Sequence, residues 1–338
     1  MGNNSTKPIS DELGPNFPKN IHLLKLKNIG NTCYANSLIQ ALMNSTNVTN
    51  YLTEIHKELE RHQLPEAIKD SPLCYLYKIF IIKSTAKQRD VLIEPKDFLE
   101  SVIKQVPDFK IGIQHDSHEF FVYLLSSFDE SIQKINSQYN TKFHSFSDLF
   151  IYHSITSQQC LMCGNISKTE EDFNCFYLSI KERNSLNSRL KQSQQPEYLQ
   201  GEGKRFCNKC KIKQEMKIQC KYTKIPPVVV FQLQRFEFNR ETCKMTKLHQ
   251  HIPFPSAIDL NSKHYELKSV VVHIGASLSS GHFIAVLFIH EKWILASDST
   301  LSVLDNHQVE EFFAVGEGKG PTSPSAYLLF YEQSVQKH

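Results

Sequence analysis

Residues 26–37 read Leu26-Lys27-Asn28-Ile29-Gly30-Asn31-Thr32-Cys33-Tyr34-Ala35-Asn36-Ser37. Gly30 and Asn31 favour a tight turn, and Thr32 suits a helix N-cap. From Cys33 onward apolar residues recur at helical spacing, with Leu38, Ile39 and Leu42 on one face. The stretch therefore predicts a turn that delivers a thiol to the start of a helix. There the positive end of the helix dipole lowers a thiol's pKa and favours the nucleophilic thiolate. The alternative is a buried core cysteine, the commoner state of an arbitrary cysteine.

A cysteine nucleophile needs a base and a group to orient that base. Downstream, Gly275-Ala276-Ser277-Leu278-Ser279-Ser280-Gly281-His282-Phe283 places His282 between a Gly/Ser-rich loop and a strand-like run. Histidine titrates near working pH and suits the role. One histidine among fifteen could equally be a surface residue. The flanking glycines, Gly281 included, argue for close approach by another backbone, such as an extended substrate over Gly281 and Phe283. Asn28, five residues before Cys33, offers a side-chain amide. With the Cys33 backbone N–H it could stabilise a tetrahedral intermediate by ~3 kcal/mol.

Composition narrows the setting. The chain has 338 residues, 40% hydrophobic and 22% charged, which excludes wholesale disorder. Its length predicts about two domains, or one large domain with an insertion. A net charge of +3 is too small to argue for nucleic acid. Neither Phe283–Ile289 nor Pro226–Phe231, the longest apolar runs, approaches the ~20 residues that span a bilayer. Nine cysteines, an odd number, with no secretory leader point to a reducing compartment, cytoplasmic or nuclear. Met1-Gly2 with Thr6 fits an N-myristoylation pattern, and an unmodified tail is the alternative. One such chain would give only weak, reversible membrane contact.

Along the chain, residues 1–22 read as a flexible lead-in and 334–338 as a tail. Tyr34–Leu42, Val91–Val106 and His118–Ile132 read as helices. After about residue 145, short apolar runs bounded by turn residues predict strands, among them Val228–Phe238, Tyr265–Ile274 and Ala326–Tyr331. Residues 183–206, rich in Ser, Gln, Asn and Lys, read as an exposed loop. Helices come first, then an antiparallel strand-rich half.

Two C-x-x-C pairs, Cys160/Cys163 and Cys207/Cys210, suit a tetrahedral Zn²⁺ held by four thiolates. A redox pair or chance are the other readings, but two knuckles in a strand-rich segment favour zinc. Four cysteines leave no open position, so the role would be structural. Asp116 and Glu119, at i and i+3 on a helix start, share one face. They are either charges favoured by the helix dipole or a carboxylate pair that grips basic residues of an extended peptide.

The Asn-x-Gly-Asn-Thr-Cys-Tyr-Ala-Asn-Ser run resembles the cysteine box of the ubiquitin-specific proteases, papain-like deubiquitinating enzymes. Ser280-Gly281-His282-Phe283 resembles their histidine box. Gln114-His115-Asp116-Ser117-His118-Glu119-Phe120 is similar to the family's glutamine–aspartate box. Pro226 through Phe236 and Ala326–Tyr331 are similar to its core and closing strands, so the resemblance covers about residues 23–333. It implies a papain-like α+β fold: a helical thumb, a β-rich palm, and inserted zinc-ribbon fingers at about 150–225. It implies hydrolysis of the (iso)peptide bond after the C-terminal glycine of ubiquitin, with Asp116 and Glu119 on the arginines of the ubiquitin tail. No redox or nucleotide cofactor is implied. The family's third catalytic position lies four residues after a tryptophan; here Trp293 leads to Ser297, followed by Asp298. Serine brings no charge to an imidazolium, so Asp298 is expected to matter at least as much as Ser297. Leu13-Gly14-Pro15 and the compact length are similar to a subgroup activated by WD40-repeat partners. Two rivals stay open: a ubiquitin-binding scaffold without catalysis, and the same chemistry on another ubiquitin-like modifier.

Overall fold

The structure is a computed structural model that describes residues 8–180, 185–239, 244–248, 250, 252–277, 280–313 and 322–334. The Gly2 and Thr6 modification pattern and most of the tail lie outside the described residues.

The first part of the chain is mainly helical. It runs α1 (Ile9–Leu13), β1 (Leu23–Leu26), α2 (Cys33–Asn44), α3 (Thr46–Arg61), α4 (Pro72–Ser84), β2 (Asp90–Ile93), α5 (Lys96–Gln105) and α6 (Ser117–Tyr139). The middle part holds β3 (Tyr152–Cys160), β4 (Ile166–Phe173), β5 (Phe176–Ser179), α7 (Leu186–Ser193), β6 (Glu197–Leu199), β7 (Arg205–Phe206), β8 (Lys213–Gln214) and β9 (Met216–Lys224). The last part holds β10 (Val228–Gln234), β11 (Phe236–Asn239), β12 (Lys244–Lys247), β13 (Ala257–Leu260), β14 (Lys263–Ser277), β15 (Ser280–Ile289), β16 (Lys292–Ser297), β17 (Thr300–Leu304), α8 (Asn306–Phe313) and β18 (Ser325–Gln333).

Among the described residues the largest sheet has the order β17-β16-β15-β14-β18-β10-β5, with β13 also on β14. Its pairings are antiparallel except β10 with β5. A second sheet, β4-β3-β9-β6, spans the middle part. The order of helices then strands agrees with the α+β reading.

Helix α2 lies between the sheet and the other helices. Leu38, Ile39 and Leu42 are buried as the spacing predicted, and so is every other residue from Cys33 to Met43. A helix covered on all sides needs no polar face. One core joins α2 to α6 through Phe120, Phe121, Leu124 and Phe128, each such side chain contributing roughly 1.5–3 kcal/mol on burial. A second core fills the opposite side of the sheet, around Val229, Phe231, Val270 and Tyr331.

Three expectations need correction. The lead-in is packed from residue 8 onward: Ile9, Leu13 and Phe17 are buried against Leu23 and Ile294, and the Val303 amide donates to Glu12 Oε2 at 2.9 Å. Apolar residues at i and i+4 on a short helix outweigh its polar composition. The helix expected over Val91–Val106 starts only at Lys96, because Pro95 disfavours helix at the residue before it, and Asp90–Ile93 instead pairs in parallel with β1. The loop expected over 183–206 contains α7, which buries Leu186 and Leu190 and is capped by Ser185. Its serines and glutamines face outward and hid that two-residue stripe.

Candidate active site

The site is built where the α2 N-terminus meets the ends of β15 and β16. The turn before α2 takes left-handed backbone at Asn31 (φ 52°) and Gly30 (φ +123°). A Cβ on Gly30 would lie 3.2 Å from Ile111 Cγ2, so a side chain there would strain the backbone and press on Ile111. Asn28 organises this turn. Its Oδ1 accepts from the Gly30 amide (3.0 Å), the Thr32 amide (3.2 Å) and the Thr32 hydroxyl (3.3 Å). Thr32 precedes the helix as expected, but its hydroxyl does not cap it; that oxygen accepts from the Ile29 amide instead.

Cys33 is the first residue of α2 and only 3% exposed. Burial pushes its thiol above the ordinary value. The backbone N–H of Phe283 pulls the other way, and the Asp298 carboxylate adds to the rise. This rise runs against the lowering that a helix N-terminus alone would give, because removal from water disfavours the thiolate. The Phe283 contact also shows that the strand carrying His282 reaches the sulfur.

His282 Nε2 lies 2.9 Å from Ser297 Oγ. Asp298 Oδ2 is 3.9 Å from the same nitrogen. The carboxylate is engaged elsewhere: Oδ2 accepts from Asn28 Nδ2 at 2.9 Å, and Oδ1 from Asn36 Nδ2 at 2.8 Å. Asp298 itself sits at φ 50°, and its carbonyl accepts from the Leu26 amide. The serine thus touches the imidazole directly, whereas the aspartate ties β16 to the cysteine turn and to α2. Asn28 has two N–H bonds, so one remains beyond the Asp298 contact.

Two further contacts join the halves. Gln114 Nε2 donates to the Gly281 carbonyl at 2.6 Å, and Asn31 Nδ2 donates to the Gly112 carbonyl at 2.7 Å. Segment 112–114 therefore bridges the cysteine turn and the histidine strand. Phe283 is buried against His273 and Tyr327.

Asp116 serves the start of α6 and the sheet at once. Oδ1 caps α6 through the His118 and Glu119 amides (2.6 and 3.4 Å), and Oδ2 accepts from the Tyr327 hydroxyl at 2.6 Å. It also lines a cleft of about 650 Å³ with His118, Tyr177, Gln232 and Phe236. Glu119 is exposed one turn further on. Asn36 and Tyr327 went unassigned in the sequence, although both lie inside stretches that carry the resemblance; nothing in a linear pattern says that they meet Asp298 and Asp116.

The four cysteines meet away from this site. The sulfurs of Cys160, Cys163, Cys207 and Cys210 all lie within 4.8 Å of one another, with Cys163–Cys207 at 3.6 Å and Cys160–Cys210 at 4.0 Å. A tetrahedral ion at ~2.3 Å from each sulfur sets them roughly 3.8 Å apart, so the donor set fits zinc. Met216, Leu199 and Ile218 pack around the cluster.

A family model described as Ubiquitin carboxyl-terminal hydrolase matches residues 24–331. Ubiquitin carboxyl-terminal hydrolase 12 of Salmo salar is 27% identical over 362 residues, covering 98% of this chain and 95% of that protein. Ubiquitin carboxyl-terminal hydrolase 4 of Arabidopsis thaliana is 26% identical over 356 residues, covering 95% of this chain and 96% of that protein. Among solved structures, a chain of the SAGA Ubp8/Sgf11/Sus1/Sgf73 DUB module bound to ubiquitin aldehyde superposes with a TM-score of 0.75 at 24% identity, covering 94% of this chain and 70% of that one.

Proposed function

The chain belongs to the ubiquitin carboxyl-terminal hydrolase family, and from that premise we infer that it is a thiol-dependent deubiquitinase. Its substrate is the (iso)peptide bond after the C-terminal glycine of ubiquitin. The observation that carries the chemistry is the His282–Ser297 contact at 2.9 Å beside a thiol that faces the Phe283 amide.

Ser297 engages Nε2 of His282, which leaves Nδ1 for the thiol. His282 takes the Cys33 proton as the sulfur attacks the glycine carbonyl carbon, then passes that proton to the departing amine. Water next attacks the thioester, His282 takes its proton, and the sulfur leaves as thiolate and recovers that proton from His282. The remaining Asn28 N–H and the Cys33 backbone N–H hold the oxyanion at each addition.

In the same reading Cys160, Cys163, Cys207 and Cys210 hold a structural zinc, and the sheet β4-β3-β9-β6 that carries them grips the body of ubiquitin. The ubiquitin tail follows the cleft beside Asp116 and Glu119. The Leu13-Gly14-Pro15 stretch supports activation by a WD40-repeat partner. Free described cysteines support a cytoplasmic or nuclear setting. If Gly2 is acylated, the mass of the N-terminal peptide from a eukaryotic host will show it.

The test is turnover of a fluorogenic ubiquitin C-terminal amide. Wild-type protein should release the fluorophore, and Cys33→Ala and His282→Ala should not. Turnover that survives Cys33→Ala would remove the assignment; ubiquitin binding without turnover in wild type would favour the scaffold.

A further inference from the structure

Lys247 ends β12, yet its ammonium is buried, with 6% of the residue exposed. Nζ donates to the carbonyls of His273 (3.0 Å), Gly275 (2.9 Å) and Ser323 (3.5 Å). Three N–H bonds thus meet three oxygens on β14 and on the segment that leads into β18. Burial, then the nearby Arg235 charge, pulls its pKa down to about 7.

The two β14 carbonyls are not arbitrary ones. They flank Ile274, which is the cross-strand partner of His282. Beyond Ile274 the chain is packed without slack. A Cβ on Gly275 would lie 2.6 Å from Gly281 Cα and from the Ser280 carbonyl oxygen. One on Gly281 would lie 2.4 Å from His273 Nε2 and 2.6 Å from the Ile274 carbonyl oxygen. Backbones in such contact move together, so a pull on Gly275 is felt at Gly281 and at His282. On its other side Lys247 pairs with Phe236, which lines the cleft with Met245 and Leu248.

We propose that Lys247 is a positioning residue for catalysis: its ammonium fixes the Gly275 stretch of β14, which packs on Gly281 and so presents His282 to Cys33, and locks the β11–β12 wall of the cleft to that strand. The proposal rests on reading Cys33 and His282 as the catalytic pair. A merely structural lysine would change stability and leave turnover per folded molecule alone.

The experiment compares wild type with Lys247→Met on the fluorogenic ubiquitin amide, with thermal melting alongside. It is run about one pH unit below neutrality, where a group with a pKa of about 7 is mostly protonated. The expected result is a kcat lowered roughly tenfold with KM within about twofold, in protein that melts cooperatively. Should the methionine variant not fold, Lys247→Gln carries the same comparison, since it keeps two N–H bonds. An unchanged kcat with a lowered melting temperature would overturn the proposal, and so would a raised KM with kcat intact. Absent turnover in wild type would instead overturn the catalytic reading beneath it.

Discussion

Asp298 holds Asn28: the two side chains meet at 2.9 Å, while the same carboxylate stands 3.9 Å from His282. The residue beside the third catalytic position thus acts on the oxyanion side of the site more closely than on the base. Asp298→Ala is expected to lower kcat by about 10²-fold, the loss seen when one oxyanion donor goes. Asn28→Ala should cost about the same, and the double variant little more, because both remove one arrangement. Ser297→Ala should cost less, about tenfold, since an uncharged hydroxyl orients the ring without neutralising it. Initial rates on a fluorogenic ubiquitin amide decide the order; fully additive losses would separate Asp298 from Asn28.

Cys33 predicts an unusual pH response for the resting protein. Its pKa is raised by burial first, so the thiolate is scarce at neutrality and grows as pH climbs past the ordinary thiol value. Alkylation of Cys33 by iodoacetamide should therefore be slow at neutral pH and accelerate through the alkaline range. Peptide mapping after timed quenching follows this residue alone. Fast modification below neutrality would mean that the helix N-terminus outweighs burial after all.

The sulfur cluster predicts metal content. Purified protein should carry about one zinc per chain by elemental analysis. Cys207→Ser should lose it, and with it the order of β7, β8 and the ends of β3 and β9 that meet there. Iodoacetamide reaction at Cys33 should persist in that variant, because the cluster is remote from α2. Metal-free wild type with unchanged melting would contradict the structural role.

Glu332 offers a stability test away from the chemistry. It is 4% exposed, and its carboxylate accepts from the Ser45 hydroxyl (2.8 Å), the Thr46 and Asn47 amides (3.2 and 2.7 Å) and the Asn47 side chain (2.7 Å). The closing strand thus supplies the anion at the α3 N-terminus. Glu332→Ala should cost about 2–3 kcal/mol by denaturant unfolding, from several charge-assisted bonds lost at once. The folded fraction should keep its kcat.

At the start of α6, Glu119 is exposed. Glu119→Arg should raise KM severalfold and lower the melting temperature only slightly, by the loss of a first-turn acid worth about 0.3–1 kcal/mol. Asp116→Ala should raise KM and lower stability together by about 1 kcal/mol, because it removes a cap and the Tyr327 partner as well.

The cysteine turn, the histidine strand and both C-x-x-C pairs were legible because each is a local pattern: a turn before a helix, a glycine before a strand, two short chelate loops. Fold class followed from where helical spacing gives way to short apolar runs. What escaped were relations across the sequence. Asn36 meets Asp298 over 262 residues, Tyr327 meets Asp116 over 211, and the Lys247 ammonium takes carbonyls, which carry no residue identity. The burial of Cys33 escaped for a related reason: it is set by distant strands, while the helix dipole is read locally. α1 and α7 escaped because two apolar residues one turn apart are a faint signal in a polar stretch.

The central claim is that Cys33 is a competent nucleophile presented to the ubiquitin C-terminus. Its most direct test is incubation with ubiquitin bearing a C-terminal electrophile, followed by intact-mass and peptide mapping. One added ubiquitin on Cys33, lost in Cys33→Ala and in His282→Ala, is the predicted result. An adduct on any other cysteine, or folded wild-type protein left unmodified both alone and with a WD40-repeat activator, would contradict it.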